Sequence, residues 1–457
     1  MGKQNYLFSN KDLRKLILPL IGDQFLQAFV GLADSIMVAS VGEAAVSGVS
    51  LVDNIMWLLI TVFVAVATGG AIISGQYLGK NKEEMACKAA NQLLLFILKT
   101  SLLVTFLGYM ARNIIIDVVF GNIEADVMYN CNVYMLIVFA SIPMIALYNA
   151  GTAIFRAMGD STVAMKTSMI MNTINIGGNA LLIFGLHCGI EGVAIPTTFS
   201  RGVACILILY YLNRKKNKIY ILHPISLKTD WGLLKKILYI GIPNGLENSM
   251  FQLGKILVLS VVSGFGTASI AANAVANNIA TFSILPGTAM GYAMLAVAAQ
   301  CIGADDYQQA SYYTKKLTKL VYVCLWISNS IVLLLLPTII QIYGLSQEAS
   351  GYTYKILVYY CLCVITVWPL SFFIPNTLRA AADVQFPMAL SIISMWIFRI
   401  GCSVVFAVYF NMGVFGIWVA MSVDWLFRGI CFTIRYKKGK WKRISCLLYT
   451  SDAADEL

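Results

Sequence analysis

Residues 16–40 read LILPLIGDQFLQAFVGLADSIMVAS, an almost unbroken apolar run. Its roughly 25 residues are enough to cross the hydrocarbon core of a bilayer as one helix. The run nevertheless carries two carboxylates, Asp23 and Asp34. A charged group at the bilayer centre costs about 2.5 to 3.5 kcal/mol on insertion scales, so acids at this depth usually face a polar interior or an ion path. The stretch therefore predicts a membrane helix with a functional polar face.

The composition of the whole chain points to a membrane protein. Of its 457 residues, 59% are hydrophobic and 12% are charged, whereas soluble domains have about 45 to 50% apolar and about 25% charged residues. The net charge is +11. Because the Lys and Arg residues lie in short segments between apolar runs, the charge is typical of cytoplasmic loops near anionic lipid. We expect no nucleic-acid partner.

The eleven cysteines lie mostly inside apolar runs. Their spacing is that of neither a zinc site nor a disulfide framework. We interpret them as small packing residues, and the sequence predicts neither a metal nor a cofactor.

Twelve apolar segments of membrane-spanning length follow one another along the chain, bounded by Gly, Pro and charged clusters. The Lys and Arg residues fall on alternate loops and place both termini in the cytoplasm. The predicted spans are 13–38, 47–75, 90–111, 128–154, 163–185 and 191–212, then 234–262, 268–300, 317–340, 353–376, 387–410 and 413–434.

The second half of the chain repeats the first at one constant offset, without gaps. Each half has six spans, an even number, so both halves enter the membrane from the same side and the repeat is parallel. The matched pairs, all separated by the same number of positions, are Pro19 and Pro243, Gly42 and Gly266, Asn54 and Asn278, Gln76 and Gln300, Gly79 and Gly303, Gly189 and Gly413, and Gly192 and Gly416.

The predicted fold is therefore an all-α polytopic membrane protein, with twelve transmembrane helices in two six-helix lobes related by a parallel pseudo-two-fold repeat. We divide the chain into an N-lobe (1–213), a cytoplasmic linker (214–232), a C-lobe (233–436) and a basic cytoplasmic tail (437–457). The last twelve or so residues of that tail read CLLYTSDAADEL and have a non-native character.

Polar residues in the first, fifth and sixth spans suggest a cation-coupling site. Asp34 has no acidic counterpart in the second half, where the equivalent residue is Val258. Asn175 and Asn179 are four residues apart and share one helix face. Thr197 follows a proline that frees a backbone carbonyl. One carboxylate with amide and hydroxyl oxygens can hold a proton or a hard cation, although Asn and Thr in membrane helices also serve simply as interhelical hydrogen-bond partners.

Asp23 and Glu247 are equivalent positions in the two lobes, each four residues after a matched proline. They are candidates for a pair of carboxylates that line a cleft and bind substrate or a second ion. The alternative is that each only satisfies a neighbouring polar group, with Lys255 as a candidate partner for one of them.

Arg399, Asp424 and Arg428 in the last two spans are better interpreted as a structural charge brace. Asp424 and Arg428 share a helix face, and an unpaired buried charge is costly, so we expect Arg399 to find an acid as well.

The sequence contains no motif that points to an enzyme. It has no H-E-x-x-H metal motif, no ATP-binding P-loop and no nucleophile elbow, and it has only two histidines. We therefore expect an ion gradient, and not hydrolysis, to supply the energy. The 19 methionines and many aromatic residues suit an adaptable pocket for flat lipophilic ligands and are equally ordinary in lipid-facing helices.

Several motifs along nearly the whole chain resemble the multidrug and toxic compound extrusion (MATE) family. The motifs that carry the resemblance are GLADSIMVASVGEAAVSGVS (31–50), GQYLGKNKEE (75–84), FRAMGDST (155–162), NTLRAAADVQFPM (376–388), MWIFRI (395–400) and GIWVAMSVDWLFRGICFTIRYKKGKW (416–441).

The resemblance implies a bacterial plasma-membrane antiporter in which inward H+ or Na+ flow drives multidrug efflux of organic cations. In the family's cation site, the positions that match Asp34, Asn175 and Thr197 carry Asp, Asn and Thr. The position that matches Asn179 carries Asp, so one charge is missing here and Na+ binding is in doubt. One branch of the family also uses a seventh-span acid, matched by Glu247, with a tenth-span acid that this sequence lacks.

The sequence supports one runner-up, a flippase for a lipid-linked saccharide or another amphipathic lipid. A strongly cationic cleft and indifference to ion gradients would favour it, whereas the sequence suggests acids in the cleft. A membrane receptor or assembly factor is disfavoured because no sizeable soluble domain is apparent. The expected partners are small lipophilic or cationic molecules and the lipid bilayer, and we expect a monomer.

Overall fold

A computed structural model of the chain describes residues 6–116, 124–223 and 228–444, and all the regular secondary structure in these ranges is helical. Residues 224–227 of the predicted linker and the final residues 445–457, which contain the stretch with a non-native character, lie outside the described residues.

The helices follow the order of the predicted spans, and we number them accordingly. Helices α1 to α6 are Asn10–Ala39, Glu43–Gly79, Glu83–Met110, the bent pair Ala125–Phe139 and Ile142–Ala157, Thr162–Ala180, and Glu191–Leu212. Helices α7 to α12 are Trp231–Ser263, Thr267–Gly303, Tyr307–Tyr343, the bent pair Gln347–Thr366 and Pro369–Ala380, Gln385–Tyr409, and Gly413–Lys437. A short helical turn, Arg112–Ile114, follows α3.

Eight of these helices are by themselves long and apolar enough to cross a membrane, and up to ten segments qualify if each bent pair is one span. The bends are 50° in α4 and 57° in α10, and a proline lies at each bend, Pro143 and Pro369. Proline cannot donate the helical hydrogen bond, so the helix kinks there. The other two predicted spans, α5 and α7, are helical but carry several polar side chains. The all-helical fold class is confirmed.

Helices α3 and α9 begin earlier than their predicted spans. Glu83 starts α3 and Tyr307 starts α9, whereas the apolar pattern placed these starts at 90 and 317. In α9 the side chain of Asp306 caps the helix by accepting a hydrogen bond from the backbone N–H of Gln309, at 2.8 Å. The extra turns of both helices are polar, so the apolar pattern does not detect them. In α9 the capping residue Asp306 is a sequence signal for the true start of the helix.

The chain divides into two compact units. The N-terminal unit is Asn10–Gly245, and the C-terminal unit combines Met1–Ser9 with Leu246–Leu457. The division falls inside α7, after the predicted linker, and the assignment of residues 233–245 to the C-lobe stays a prediction.

Within the N-terminal unit, the first part of α7 packs closely against α2. A Cβ atom on Gly69 would lie 2.5 Å from the Ile237 carbonyl oxygen, and one on Gly241 would lie 2.9 Å from Val66 Cα. Only glycine permits this approach of two helix backbones, which explains why the start of α7 belongs to this unit.

Candidate functional site

In the N-terminal unit, the structure brings together the four residues that the sequence proposes as the cation-coupling site. Asn179 Nδ2 donates a hydrogen bond to Asp34 Oδ1, at 3.0 Å. Asn175 and Thr197 form a second hydrogen bond, 3.0 Å between Nδ2 and Oγ1. Asn175 and Asn179 are buried, and Asp34 and Thr197 are partly exposed. Helices α1, α5 and α6 thus contribute to one polar network, which we call the Asp34 network.

The oxygen and nitrogen of the Asn175 amide can be assigned in two ways, and the choice follows from their hydrogen-bond partners. In the first, Nδ2 donates to Thr197, and the Thr197 hydroxyl donates to the Val193 carbonyl oxygen at 2.8 Å. In the reverse orientation, Nδ2 donates to both carboxylate oxygens of Asp34, at 2.8 and 3.1 Å, and Oδ1 accepts from the Thr197 hydroxyl at 3.0 Å. The reverse orientation suits a charged carboxylate, because a carboxylate can only accept hydrogen bonds.

The backbone of α5 positions these side chains. Helix α5 packs against both α1 and α6, and Asn175 and Asn179 lie one turn apart on the same face. A Cβ atom on Gly178 would lie 2.7 Å from Pro196 Cβ. The glycine therefore allows α5 and α6 to come close enough for Asn175 to reach Thr197.

A second acid that the sequence analysis did not single out lies near Asp34. Asp53, in α2, accepts a hydrogen bond from the Tyr134 hydroxyl at 3.1 Å. Both Asp53 and Arg201 are close enough to Asp34 to interact with it electrostatically, and Arg201 also interacts with Asp53. The Arg201 guanidinium donates to Ser141 Oγ at 2.8 Å. An acid within the predicted span 47–75 was the signal that could have identified Asp53.

Asp23 lies elsewhere on α1 and is not part of the Asp34 network. Gln27 Nε2 donates to Asp23 Oδ2 at 3.0 Å, while Asp23 Oδ1 is buried without a hydrogen-bond partner among the described residues. Arg156 interacts with this carboxylate electrostatically.

Glu247, its counterpart in the C-terminal unit, has much stronger partners. The Arg379 guanidinium donates to both Glu247 carboxylate oxygens, at 2.7 and 2.9 Å. The Ser391 hydroxyl donates to Glu247 Oε1 at 2.8 Å, and Arg428 Nη2 lies 3.7 Å from the same oxygen. Lys255 is therefore not the partner of Glu247. Arg379 lies between the predicted spans 353–376 and 387–410. No local signal in the sequence connects it to an acid in a helix so distant along the chain.

The proposed brace residues also lie in the C-terminal unit. Arg428 Nη1 is 3.9 Å from Asp424 Oδ2, and Ser394 donates a hydrogen bond to Asp424 Oδ1. Arg399 interacts with Asp424 electrostatically. Its guanidinium instead lies over the Phe251 ring, 4.8 Å from the ring centroid.

Comparison with known proteins identifies the family. The MatE family model matches residues 19–181 and again residues 243–405. The chain belongs to the MATE family. The two matched ranges begin at Pro19 and Pro243, which are a matched pair of the internal repeat found in the sequence.

Relatives of this MATE protein match it over nearly their full length. The uncharacterized transporter YisQ of Bacillus subtilis strain 168 is 26% identical over 439 residues, covering 94% of both chains. The probable multidrug resistance protein NorM of Thermotoga maritima is 23% identical over 448 residues, covering 96% of this chain and 94% of the relative.

Solved MATE structures share the fold. A MATE crystal structure in complex with MaL6 has a TM-score of 0.88 at 20% identity, with 96% of this chain and 97% of that chain covered. The outward-facing conformation of a multidrug resistance MATE transporter of the MOP superfamily has a TM-score of 0.85 at 20% identity, covering 96% of each chain. The protein is thus a multi-pass membrane transporter of a multidrug efflux family, and its fold has two lobes.

Proposed function

We propose that this protein is a secondary active antiporter that exports organic cationic or amphipathic compounds by alternating access. The observation that carries the proposal is the Asp34 network, in which one carboxylate of α1 binds two side chains of α5 and is linked through Asn175 to Thr197 of α6. A change in the charge of Asp34 alters its hydrogen bonds to α5 and, through Asn175, to α6. The proton and the cargo can therefore each favour a different conformation of the protein, and this couples their binding.

The geometry supports H+ as the coupling ion. In the reverse orientation of Asn175, two amide N–H groups point at the Asp34 carboxylate. These donors stabilise a carboxylate but repel a metal cation, and hard cations require several oxygen ligands. With Asn179 in place of an acid, the network itself contains one carboxylate. Na+ coupling is the alternative that the ion-step experiment below tests.

The energy available from one proton sets the scale of export. One elementary charge crossing 100 mV supplies about 2.3 kcal/mol, and each tenfold concentration ratio needs about 1.4 kcal/mol. One proton thus supports about a 40-fold gradient of a neutral substrate. A monovalent cation exchanged one for one gains nothing from the voltage and depends on the chemical gradient alone.

The decisive test is the substitution Asp34→Asn, assayed in proteoliposomes loaded with a fluorescent organic cation. A pH step and a Na+ step are imposed separately. We expect the wild type to respond to the pH step and the variant to fall to the level of protein-free vesicles, because a neutral amide cannot exchange a proton.

Asp126→Asn, which removes an exposed acid at the start of α4, is the matched control and should transport like the wild type. Gel filtration reports on folding of all three proteins. Transport at the wild-type rate by Asp34→Asn would refute the role of Asp34, and a response to the Na+ step alone would refute H+ coupling.

A lipid flippase is the second candidate. The observation in its favour is the excess of cationic side chains within the spans of the C-terminal unit, where Asp424 interacts with both Arg399 and Arg428 and where Lys255 lies near Arg399. Export that is indifferent to both ion steps, with a lipid-linked saccharide as cargo, would favour this function.

The location and organisation of the transporter complete the proposal. We place it in the bacterial plasma membrane with both termini in the cytoplasm, following the distribution of Lys and Arg. We assign 1–213 and 233–436 to the two lobes, 214–232 to a cytoplasmic linker and 437–457 to a cytoplasmic tail. The protein acts as a monomer and needs no cofactor besides its coupling ion.

A further inference from the structure

The ionised groups within the spans of the C-terminal unit do not balance. Glu247 is neutralised by its two-point contact with Arg379. Asp424 then remains as the acid within electrostatic reach of both Arg399 and Arg428. Lys255 lies near Arg399, and Arg399 is the charged group that acts on it among the described residues. These groups therefore comprise four bases and two acids, and no acid of the described residues acts on Lys255.

Two of these bases have no polar partner within the described ranges 6–116, 124–223 and 228–444. The Lys255 amino group and the Arg399 guanidinium each lack a hydrogen bond and an ion pair there. Both side chains are at least partly exposed, so another molecule can reach them. An Arg guanidinium has five N–H donors in its plane, and contact with an aromatic face uses none of them.

The third base, Arg428, is held by aromatic rings beside them. Its Cζ atom lies 4.9 Å from the centroid of the Phe372 ring and 5.4 Å from that of Phe251. Phe251 is also the ring beneath Arg399, at 4.8 Å, and Lys255 is one helical turn further along α7. The Arg428 side chain is 1% exposed, yet its Nε atom has no hydrogen-bond partner in the described part of the chain. The two guanidinium groups thus share one apolar ring, and Lys255 lies near one of them, Arg399.

We infer that Arg399 and Arg428, which both lie over the Phe251 ring, form with Lys255 one helical turn away a binding site for the acidic group of an amphipathic molecule, a carboxylate or a phosphate ester attached to an apolar body. The anion balances the excess charge within the membrane, and the Arg399 guanidinium can bind a carboxylate or phosphate through two parallel hydrogen bonds. Phe251 and Phe372 supply apolar contact for the adjoining part of the ligand. This inference rests on the proposed export function and deepens it, since it adds to the cargo amphipathic molecules that carry an acidic group.

The experiment measures binding to the full-length protein in nanodiscs of purely zwitterionic phosphatidylcholine. The probes are a fluorescent arylalkyl carboxylate and its methyl ester, which has almost the same shape but no charge. We expect the wild type to bind the carboxylate at least tenfold more tightly than the ester. Equal Kd values for the two probes would overturn the inference.

Three variants locate the site. Arg399→Gln should weaken carboxylate binding about tenfold and leave ester binding unchanged, whereas Arg399→Lys, which keeps the charge, should retain most of the affinity. Lys355→Gln is the matched control, because it removes a base of the same unit that lies over Phe415, at 4.3 Å. An unchanged carboxylate Kd in Arg399→Gln, or an equal loss in Lys355→Gln, would also overturn the inference. Gel filtration and Tm show whether each variant folds.

A second arm distinguishes a lipid headgroup from a soluble cargo. Nanodiscs with added phosphatidylglycerol present a phosphate that competes with the carboxylate if lipid occupies the site, and native mass spectrometry then finds this lipid on the wild type but not on Arg399→Gln. If phosphatidylglycerol neither competes nor stays bound, the acidic group belongs to a soluble cargo. Both results uphold the anion site and assign its source.

Efflux assays separate this inference from the proposed function. If the wild type exports an organic cation in response to the pH step but does not discriminate carboxylate from ester, the anion site is wrong and the antiporter stands. If it binds the carboxylate selectively but transports nothing on either ion step, the anion site stands and the antiporter fails.

Discussion

In the N-terminal unit the charged side chains deep within the spans are mostly acids, whereas in the C-terminal unit they are mostly bases. Asp34 and Asp53 share Arg201 in the former. In the latter, Arg399 and Arg428 share Asp424. The two halves have the same helix order and match the same family model, so the repeated fold does not require repeated chemistry.

Alignment of the two halves through the internal repeat shows where the chemistry changes. Asn175, which reaches Asp34 in one half, corresponds to Arg399 in the other. Asp34 itself corresponds to Val258 and Asp53 to Asn277. Helix packing depends on the apolar pattern, which both halves share, while the polar residues on one face of each helix can differ. We expect ion coupling and cargo binding to have separated between the halves for this reason.

The largest expected effect concerns the equivalent acids Glu247 and Asp23. Glu247→Gln leaves Arg379 without its ion-pair partner and removes one of the two acids near Arg428. Breaking a buried ion pair by removing one partner typically costs about 3 to 5 kcal/mol. Asp23→Asn removes a buried acid without an ion pair within the described residues, so we expect a change within about 1 kcal/mol. Thermal unfolding in detergent measures both. Equal loss of stability in the two variants would remove this difference between the units.

The next effect tests the role of the second acid, Asp53, in the N-terminal unit. Asp53→Asn leaves Arg201 without one of its acids and weakens the hydrogen bond from Tyr134. We expect the loss of these interactions to destabilise the network by about 1 to 2 kcal/mol. This free energy corresponds to about a tenfold reduction in coupled efflux. The assay is dye efflux after a pH step, with Asp126→Asn as the control. Unimpaired efflux by Asp53→Asn would show that the coupling charge resides in Asp34 alone.

The smallest effect tests the link between α5 and α6. Thr197→Val keeps the side-chain shape but removes the hydroxyl that bonds to Asn175, at a cost of about 0.5 to 1.5 kcal/mol. We expect roughly a threefold loss of coupled efflux. Thr198→Val is the matched control, because its hydroxyl donates to the Ile137 carbonyl outside the network. An equal loss in both variants would indicate a general packing defect and no special role for Thr197.

The order and type of the helices could be predicted from the sequence because long apolar runs have few alternatives in a bilayer. The Asp34 network could also be predicted from the sequence. The spacing of Asn175 and Asn179 places both on one helix face, and the family resemblance adds Asp34 and Thr197. The ion pair of Glu247 with Arg379 could not be predicted, because it depends on tertiary packing between helices that are distant along the chain. For the same reason, nothing in the local pattern shows that Arg399 lies over a ring while Asp424 bonds to Ser394.

The Asn175 amide lies between the Asp34 carboxylate and the Thr197 hydroxyl, and we expect its orientation to follow the protonation of Asp34. A proton on Asp34 turns that carboxyl into a donor toward Asn175 Oδ1, so the amide then donates to Thr197 and the hydroxyl donates to the Val193 carbonyl. When the proton leaves, every donor and acceptor along the line exchanges roles, and the hydroxyl turns back toward Asn175. We therefore expect a change of protonation at Asp34 to alter the hydrogen bonding of the Val193 carbonyl in α6, to which it is linked through two side chains, and isotope-edited infrared spectroscopy of that carbonyl can measure the change.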